Sequence, residues 1–586
     1  MSATTHHYKE NNTLELIKGA ARAVRHFVRL ERSQGHLLKT INLIRRQRAP
    51  SFYEDWTYGR LLEWAAQQYG KKIYLEYQQQ RISFYEMNRR ANRVAHRLLD
   101  NGINARRGLA LMMSNQPRFL DTFFAMQKIG GYVVPVNTAL VNEGLAYILT
   151  HSDVSAIVCD HDAADKIAAV RERLSHVEHI WVDTSEAPAG YVVPPGMRLF
   201  TELETGSLER AANLPTRPEP TAPSLLLYTS GTTGLPKAVV SPYDKQRVKA
   251  IGLLANLLTH SDDKIYTCLP LFHANALLLS VMQCLWTGIP LHLSKRFSAS
   301  RFWQEVGACG ATQFNTVGSM IPVLLKTAPS AADRNHKVRR IVSAACPKDA
   351  WRVFEERFGV RLWEAYGAVD GAGLTIVNMG RAPVGSIGKL GRNVRWKLMT
   401  DDGREAGPGE PGELCVYVAH RPESKVPYWK NEKASNEKVK DGWLHTGDML
   451  QKDAKGYLYF VGRNTDSMRV RGENVSAYEV EKVVDAYPGV LESAAFGVPS
   501  SMGESDIMIT VIPVEGQQLN VADFRRYLQS NLPKYAVPSY LDLVGELPKT
   551  GTHRVMKKEL KERGVGPNTI VLDERIAAAS SSQAAA

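Results

Sequence analysis

The chain has 586 residues, 44% of them hydrophobic, and a formal net charge of +13 from 73 Lys+Arg against 60 Asp+Glu. That length exceeds what one hydrophobic core can serve, so two or more domains are expected, and the apolar content excludes a disordered chain. The basic balance favours an anionic ligand or surface; the six scattered cysteines, without a CxxC pair, read as buried thiols of a reducing compartment; and no apolar run is long enough to span a bilayer.

Residues 14–32, LELIKGAARAVRHFVRLER, place Lys18, Arg22, Arg25, Arg29 and Arg32 at steps of four and three beside an apolar stripe of Leu14, Ile17, Ala21 and Val24. This is a basic amphipathic helix, with Lys39, Arg45, Arg46 and Arg48 continuing the charge. It suits either the headgroup region of an anionic membrane, reached through residues 14–48, or docking on the body of the protein. No signal-peptide pattern precedes it, so a cytoplasmic location is expected, with peripheral binding to the inner face of a membrane left open by the helix. Residues 1–50 form an N-terminal extension.

From residue 51 to about 200, strands and helices alternate. GLALMM from Gly108, YVVPV from Tyr132 and AIVCD from Ala156 read as strands, and RFLDTFFAMQKIG from Arg118 and LVNEGLAYILTHS from Leu140 as helices. Such β-α-β repetition predicts a parallel sheet covered by helices. A proline-rich linker from Asn213 leads into the short strand SLLLY and then YTSGTTGLPKAVV from Tyr228. Hydroxyls, glycines and a following lysine suit a polyphosphate, although the spacing is not that of the common P-loop and such runs also occur as solvated turns. Between residues 380 and 465 the glycines and short strands, GELCVYV from Gly412 and GYLYFVGR from Gly456 among them, indicate a β-rich subdomain. Residues 465–573 then read as a small α+β domain and 574–586 as a frayed tail. The fold class is therefore α/β: a large domain at 51–464 with doubly wound sheets and a β-rich subdomain, followed by a small mobile domain.

Six stretches occur in order: YTSGTTGLPK at 228, LPLFH at 269, YGAVD at 366, GWLHTGD at 442, GRNTDSMRVRGENVSAYEVE at 462 and LPKTGTHRVMKKEL at 547. Together they resemble the adenylate-forming superfamily of acyl-CoA synthetases, peptide-synthetase adenylation domains and firefly luciferase, over roughly residues 55–565. KRFSASRFW from Lys295 and VRGENVSAYEVE from Val470 look most like its fatty acid transport protein and very-long-chain acyl-CoA synthetase branch. The resemblance implies ATP, Mg²⁺ and coenzyme A: a carboxylate attacks the α-phosphorus of ATP, and the thiol of coenzyme A then takes the acyl group from acyl-AMP. By the same resemblance Thr229, Ser230, Gly231, Thr232, Thr233, Gly234 and Lys237 cradle the leaving pyrophosphate. Ala344 and Ala345 line the base, Tyr366 stacks against it with Gly367 beside it among the nucleotide-binding residues, Asp448 accepts the ribose hydroxyls and Arg463 reaches the ribose and phosphate region. His273 is placed near the acyl and pantetheine passage.

The chain departs from the family pattern in three motifs. Val369 and Asp370 stand where Thr-Glu is common, which leaves Asp370 as a shortened Mg²⁺ ligand. His553-Arg554 replaces the Gly-Lys whose lysine serves adenylation, so Arg554 is a candidate for that cation, with Lys557 and Lys558 one helical turn on as substitutes. Thr465 occupies the hinge, and Arg469 takes the place of a lysine of the second half-reaction. The expected function is an acyl-CoA ligase for a fatty, long-chain acid, with a ligase for carnitine, a related betaine or another small acid as its rival. A non-catalytic nucleotide- or lipid-binding homologue is the alternative of another class. The basic residues are spread out and no base-stacking motif accompanies them, so nucleic acid is not an expected partner.

Overall fold

The computed structural model describes residues 56–205, 214, 218–229, 236–318, 320–371, 373–391, 394–400, 402–419, 426–463, 467–470, 473–500, 505–532, 536–549 and 555–573. The N-terminal basic helix, the hinge residue Thr465 and the tail expected at 574–586 lie outside them.

Two sheets dominate the large domain. A seven-stranded sheet runs in the order Arg198–Leu199, His179–Asp183, Val154–Asp160, Gly108–Met112, Tyr132–Pro135, Pro223–Thr229, Lys237–Pro242, parallel throughout except for its last pair. An eight-stranded sheet runs from Thr375–Asn378 through Arg361–Gly367, Arg340–Ala344, Gln313–Val317, Ile265–Thr267 and Leu291–Leu293 to Ile73–Tyr77 and Gln80–Ser83. Only its two edge pairs are antiparallel.

Helices Tyr58–Tyr69, Phe84–Asp100 and Pro117–Ile129 share one core with strand residues from both sheets, Leu61, Phe84 and Phe123 meeting Leu109, Leu225 and Ile265. Strands covered on both faces need continuous apolar runs, which explains why Gly108–Met112 and Val154–Asp160 are buried at every position. Local signals start the helices. Thr57 caps the first through its side chain, and Ser83 with Glu86 has the spacing of a capping box, the Ser83 hydroxyl accepting from the Glu86 amide at 3.1 Å.

The β-rich subdomain is a five-stranded sheet in which Trp396–Met399, Pro411–Tyr417, Trp443–Lys452 and Leu458–Arg463 pair antiparallel in that order, Val439–Lys440 completing it against Trp443–Lys452. Beyond Arg463 the small domain has its own apolar core, built on the helices Ala477–Asp485 and Val521–Asn531 and the four-stranded sheet that begins with Val490–Pro499. It meets the large domain through polar contacts. Lys326 Nζ donates to the carbonyls of Val490 and Leu491, and Lys482 pairs with Asp349 at 2.7 Å. No helix among the described residues is long and apolar enough to cross a membrane.

Candidate active site

The strand Pro223–Thr229 ends where the phosphate-loop motif begins, and Lys237 opens the antiparallel return strand. Thr229 and Lys237 are register partners, and the Thr229 hydroxyl donates to the Lys237 carbonyl at 3.3 Å. The two ends of the motif are thus fastened together, while Ser230, Gly231, Thr232, Thr233 and Gly234 lie outside the described residues.

From Lys237 a polar path crosses three segments. The Lys237 ammonium lies 5.8 Å from the centre of the Tyr428 ring, and the Tyr428 hydroxyl donates to Asp370 Oδ2 at 2.7 Å. Lys438 Nζ approaches that same oxygen at 2.8 Å and donates to the Thr446 carbonyl at 3.0 Å. The Thr446 hydroxyl accepts from the Asp448 amide at 3.1 Å, and Asp448 Oδ2 accepts from the Tyr366 hydroxyl at 2.7 Å. Asp448 and Tyr366 are buried. Residues 237, 366, 370 and 448, which come from three separate motifs, are therefore brought into one neighbourhood. Asp370 offers the hard oxygen that Mg²⁺ takes from proteins alongside substrate phosphates, so its donor chemistry fits that ion. The sequence did not announce that a protein cation is already on this carboxylate.

Next to this path lies the loop after Arg340–Ala344. Ala345 has φ +68°, a left-handed conformation that costs a residue with a Cβ, and something must hold it there. Glu364 does so. Its carboxyl, buried beneath the loop, accepts the backbone amides of Ala345 and Cys346. Sequence reading missed Glu364, although a charged residue inside the buried strand Arg361–Gly367, two positions before Tyr366 and so on the same face, is a readable signal. Gly367 closes that strand and pairs with Thr375.

Burial pushes the Glu364 carboxyl up to about 8, against partial relief from the two amides. A pKa raised on folding favours the fold fully below the unfolded value near 4.5, and that benefit is lost as pH rises through 8. We expect Glu364→Gln to melt close to wild type at pH 5 and to be more stable than wild type at pH 9, by on the order of 2–5 kcal/mol. Thermal melts at the two pH values check this; an unchanged difference would remove the burial argument.

His273 sits just before the π-helix Asn275–Val281, a local form frequent at functional sites. Burial lowers its imidazole to about 4, so the ring is neutral at pH 7, and Nε2 has no hydrogen-bond partner. Its ring centre is 4.7 Å from that of Phe272, the two planes tilted by 50°.

The remaining assignments divide. Arg463 and Arg469 lie on the strands Leu458–Arg463 and Ser467–Val470, with their side chains outside the description. Arg554 lies outside it entirely. The expectation that Lys557 and Lys558 sit one helical turn beyond Arg554 is corrected: the helix starts at Lys557, after the bridge between Lys549 and Val555, so no described helix joins them to residue 554. Lys557 is also engaged, at 2.7 Å from Glu481, and Lys558 pairs with Glu562 at 3.7 Å. A cavity of about 630 Å³ lined by Arg106, Tyr132, Glu178 and Pro223 lies at the starts of the parallel strands, opposite the end that carries the loop, and takes no part in this site.

Residues 62–420 match the AMP-binding enzyme family and residues 479–554 the AMP-binding enzyme C-terminal domain. The chain is 31% identical over 497 residues to a crotonobetaine/carnitine–CoA ligase of Escherichia coli O7:K1, covering 82% of this chain and 93% of the relative. It is 30% identical over 513 residues to the enzyme of that name from Salmonella paratyphi A, covering 85% and 97%. Among solved structures, an anthranilate CoA ligase in complex with anthranoyl-AMP superposes with a TM-score of 0.75 at 22% identity, covering 87% of this chain and 97% of that one, which speaks to the fold. These curated relatives are carnitine-type ligases, not members of the fatty acid transport branch that the shorter motifs suggested. The chain belongs to the AMP-binding enzyme family and is an AMP-forming acyl-CoA ligase.

Proposed function

We propose that the acid activated here is a small one of the betaine class, such as carnitine or crotonobetaine, and that adenylation takes place along the polar path from Lys237 to Tyr366. The observation that carries the catalytic part is that path itself, which joins a phosphate-side lysine, a metal-type carboxylate and a ribose-type aspartate. The acid class is supported by the relatives, which align over nearly their whole length. A neutral His273 ring beside Phe272 is compatible with it, since an uncharged imidazole does not repel a quaternary ammonium and an aromatic face attracts one.

In this reading Lys237 and the loop hold the β- and γ-phosphates, Asp448 fixes the ribose, and Tyr366 covers the adenine while its hydroxyl keeps Asp448 in place. Asp370 would hold Mg²⁺, which screens phosphate charge. Lys438 competes for that carboxylate. Lys438→Met is therefore expected to lower the metal concentration that half-saturates the nucleotide-bound enzyme by about fivefold, as for an ion pair worth about 1 kcal/mol. Mn²⁺ binding followed by electron paramagnetic resonance with a non-hydrolysable ATP analogue reads this directly; weaker binding would mean that Lys438 helps the metal instead.

Pyrophosphate release with carnitine, crotonobetaine, a medium-chain and a long-chain fatty acid, with and without coenzyme A, tests the acid. The betaines are expected to lead in kcat/KM by at least about tenfold, the scale set by one recognised charge. A long-chain acid in the lead would restore the fatty-acid reading favoured by the basic N-terminal helix. Release with none of a broad panel would sink the ligase reading itself.

A further inference from the structure

The β-rich subdomain carries a second group of chemically able side chains, outside the path just described. Glu413 and Cys415 lie on Pro411–Tyr417 and His445 on Trp443–Lys452, Cys415 and His445 being direct register partners across the two strands. His445 Nδ1 is 3.0 Å from Glu413 Oε2 and 3.5 Å from Cys415 Sγ, and Sγ is 3.9 Å from Oε2. Among the described residues these are the only three His, Cys, Asp or Glu side chains whose donor atoms meet so closely.

From the position of these three donors we infer that Glu413, Cys415 and His445 form a site for one divalent ion of the Zn²⁺ and Co²⁺ class. A triangle with those sides lies on a circle of about 2.0 Å radius. In a tetrahedral complex three ligands lie on a circle about 0.94 of a bond length in radius, so the mean bond here is about 2.2 Å, against about 2.3 Å for Zn–S and 2.0–2.2 Å for Zn–N and Zn–O. Little rearrangement is needed.

The donor set selects the metal. Thiolate and imidazole suit Zn²⁺ or Co²⁺ and do not suit Mg²⁺, so this site is separate in kind from the one at Asp370. Loading exchanges the Cys415 thiol proton for the ion, the proton passing to buffer, and no electron moves. Thiolate and carboxylate then balance the charge of the ion, His445 keeps its ring proton on Nε2, and water takes the fourth position. Lys397, the register partner of Cys415 on Trp396–Met399, is the neighbouring cation; its Nζ lies 4.3 Å from the centre of the Trp443 ring.

Two further features belong to a built site. The second oxygen of Glu413 accepts the Gly447 amide at 2.8 Å, which orients the carboxylate as outer-shell partners orient metal ligands. The His445 side chain is 38% exposed, which gives an ion a way in to the buried sulfur. Gly447 directly precedes Asp448, so an ion held here would stand one hydrogen bond from the backbone of the ribose site.

The test is a Co²⁺ titration of the full-length enzyme after removal of metal by a chelator. One equivalent is expected to develop a thiolate-to-cobalt charge-transfer band that Zn²⁺ displaces. Cys415→Ser should abolish the band, while His445→Ala and Glu413→Gln should raise the Co²⁺ needed for half-saturation by at least about tenfold. Cys309→Ser, in the other sheet system, should leave it unchanged. Absence of the band in the wild type, its survival in Cys415→Ser, or an unchanged Co²⁺ requirement in His445→Ala overturns the inference and leaves an ordinary Glu–His hydrogen bond beside a buried thiol. Should Cys415→Ser fail to fold, His445→Ala, altered at a half-exposed position, decides alone.

Discussion

Asp448→Ala is expected to raise the KM for ATP by about 10²–10⁴-fold and to weaken AMP binding by a similar factor. The carboxylate is buried at 3% exposure and already orders one neighbour, the Tyr366 hydroxyl at 2.7 Å. Its proposed ligands are two ribose hydroxyls, and hydrogen bonds to a charged acceptor are each worth about 1.5–3 kcal/mol, so losing both costs about 3–6 kcal/mol. Truncation also leaves the Tyr366 hydroxyl without this acceptor in a buried place. Tyr366→Phe separates the two effects: it keeps the ring proposed to cover the base, removes only the hydrogen bond to Asp448, and should cost about tenfold or less. Pyrophosphate-release kinetics and AMP titration of both variants, with melts to establish folding, give the comparison. Wild-type kinetics in Asp448→Ala, or a larger loss in Tyr366→Phe, would move the ribose site elsewhere.

The elements that were legible in the sequence are those whose signal is local. Strands such as Val154–Asp160 are apolar at nearly every position because helices cover both faces, and Pro117–Ile129 begins at a proline and ends before Gly130 in a left-handed turn. The motif residues at 237, 366 and 448 were equally legible, since each belongs to a short pattern tied to nucleotide chemistry. What joins them was not. Tyr428, bridged to Val239, and Lys438, the last residue of the helix Glu432–Lys438, reach Asp370 across 58 and 68 positions, and nothing in the local sequence of any of the three encodes that meeting. The π-helix Asn275–Val281 reads only as part of an apolar run, because composition does not distinguish its hydrogen-bond pattern. The acid was the least legible part: short motifs suggested the fatty acid transport branch, whereas the relatives that align over most of the chain are crotonobetaine/carnitine–CoA ligases.

Arg554→Ala should slow acyl-AMP formation by about 10²–10³-fold, the usual cost of removing one donor aimed at developing charge. As the acid attacks, negative charge gathers on the α-phosphate, and a cation that meets it only in the adenylating arrangement lowers the barrier without tightening ground-state binding. The structure weakens the substitutes for this role. Lys557 is held 2.7 Å from Glu481 at the first position of its own helix, and Lys558 points its charge toward Glu562 on the same helix. Moving Lys557 to a phosphate would first break its ion pair, whereas residue 554 falls between Lys549 and Val555, which a bridge joins. Rotation of that domain about Thr465 is what would deliver Arg554, and its planar fork can then meet two phosphate oxygens at once. Lys557→Ala is accordingly expected to change adenylation less than about threefold, a loss on the scale of a partly exposed ion pair. The reverse reaction from acyl-AMP and pyrophosphate should slow as much as the forward one in Arg554→Ala, because both pass through the same transition state, while thioester formation from supplied acyl-AMP should keep its rate. Adenylation that survives Arg554→Ala and collapses in Lys557→Ala would place the cation on the helix and reverse the assignment.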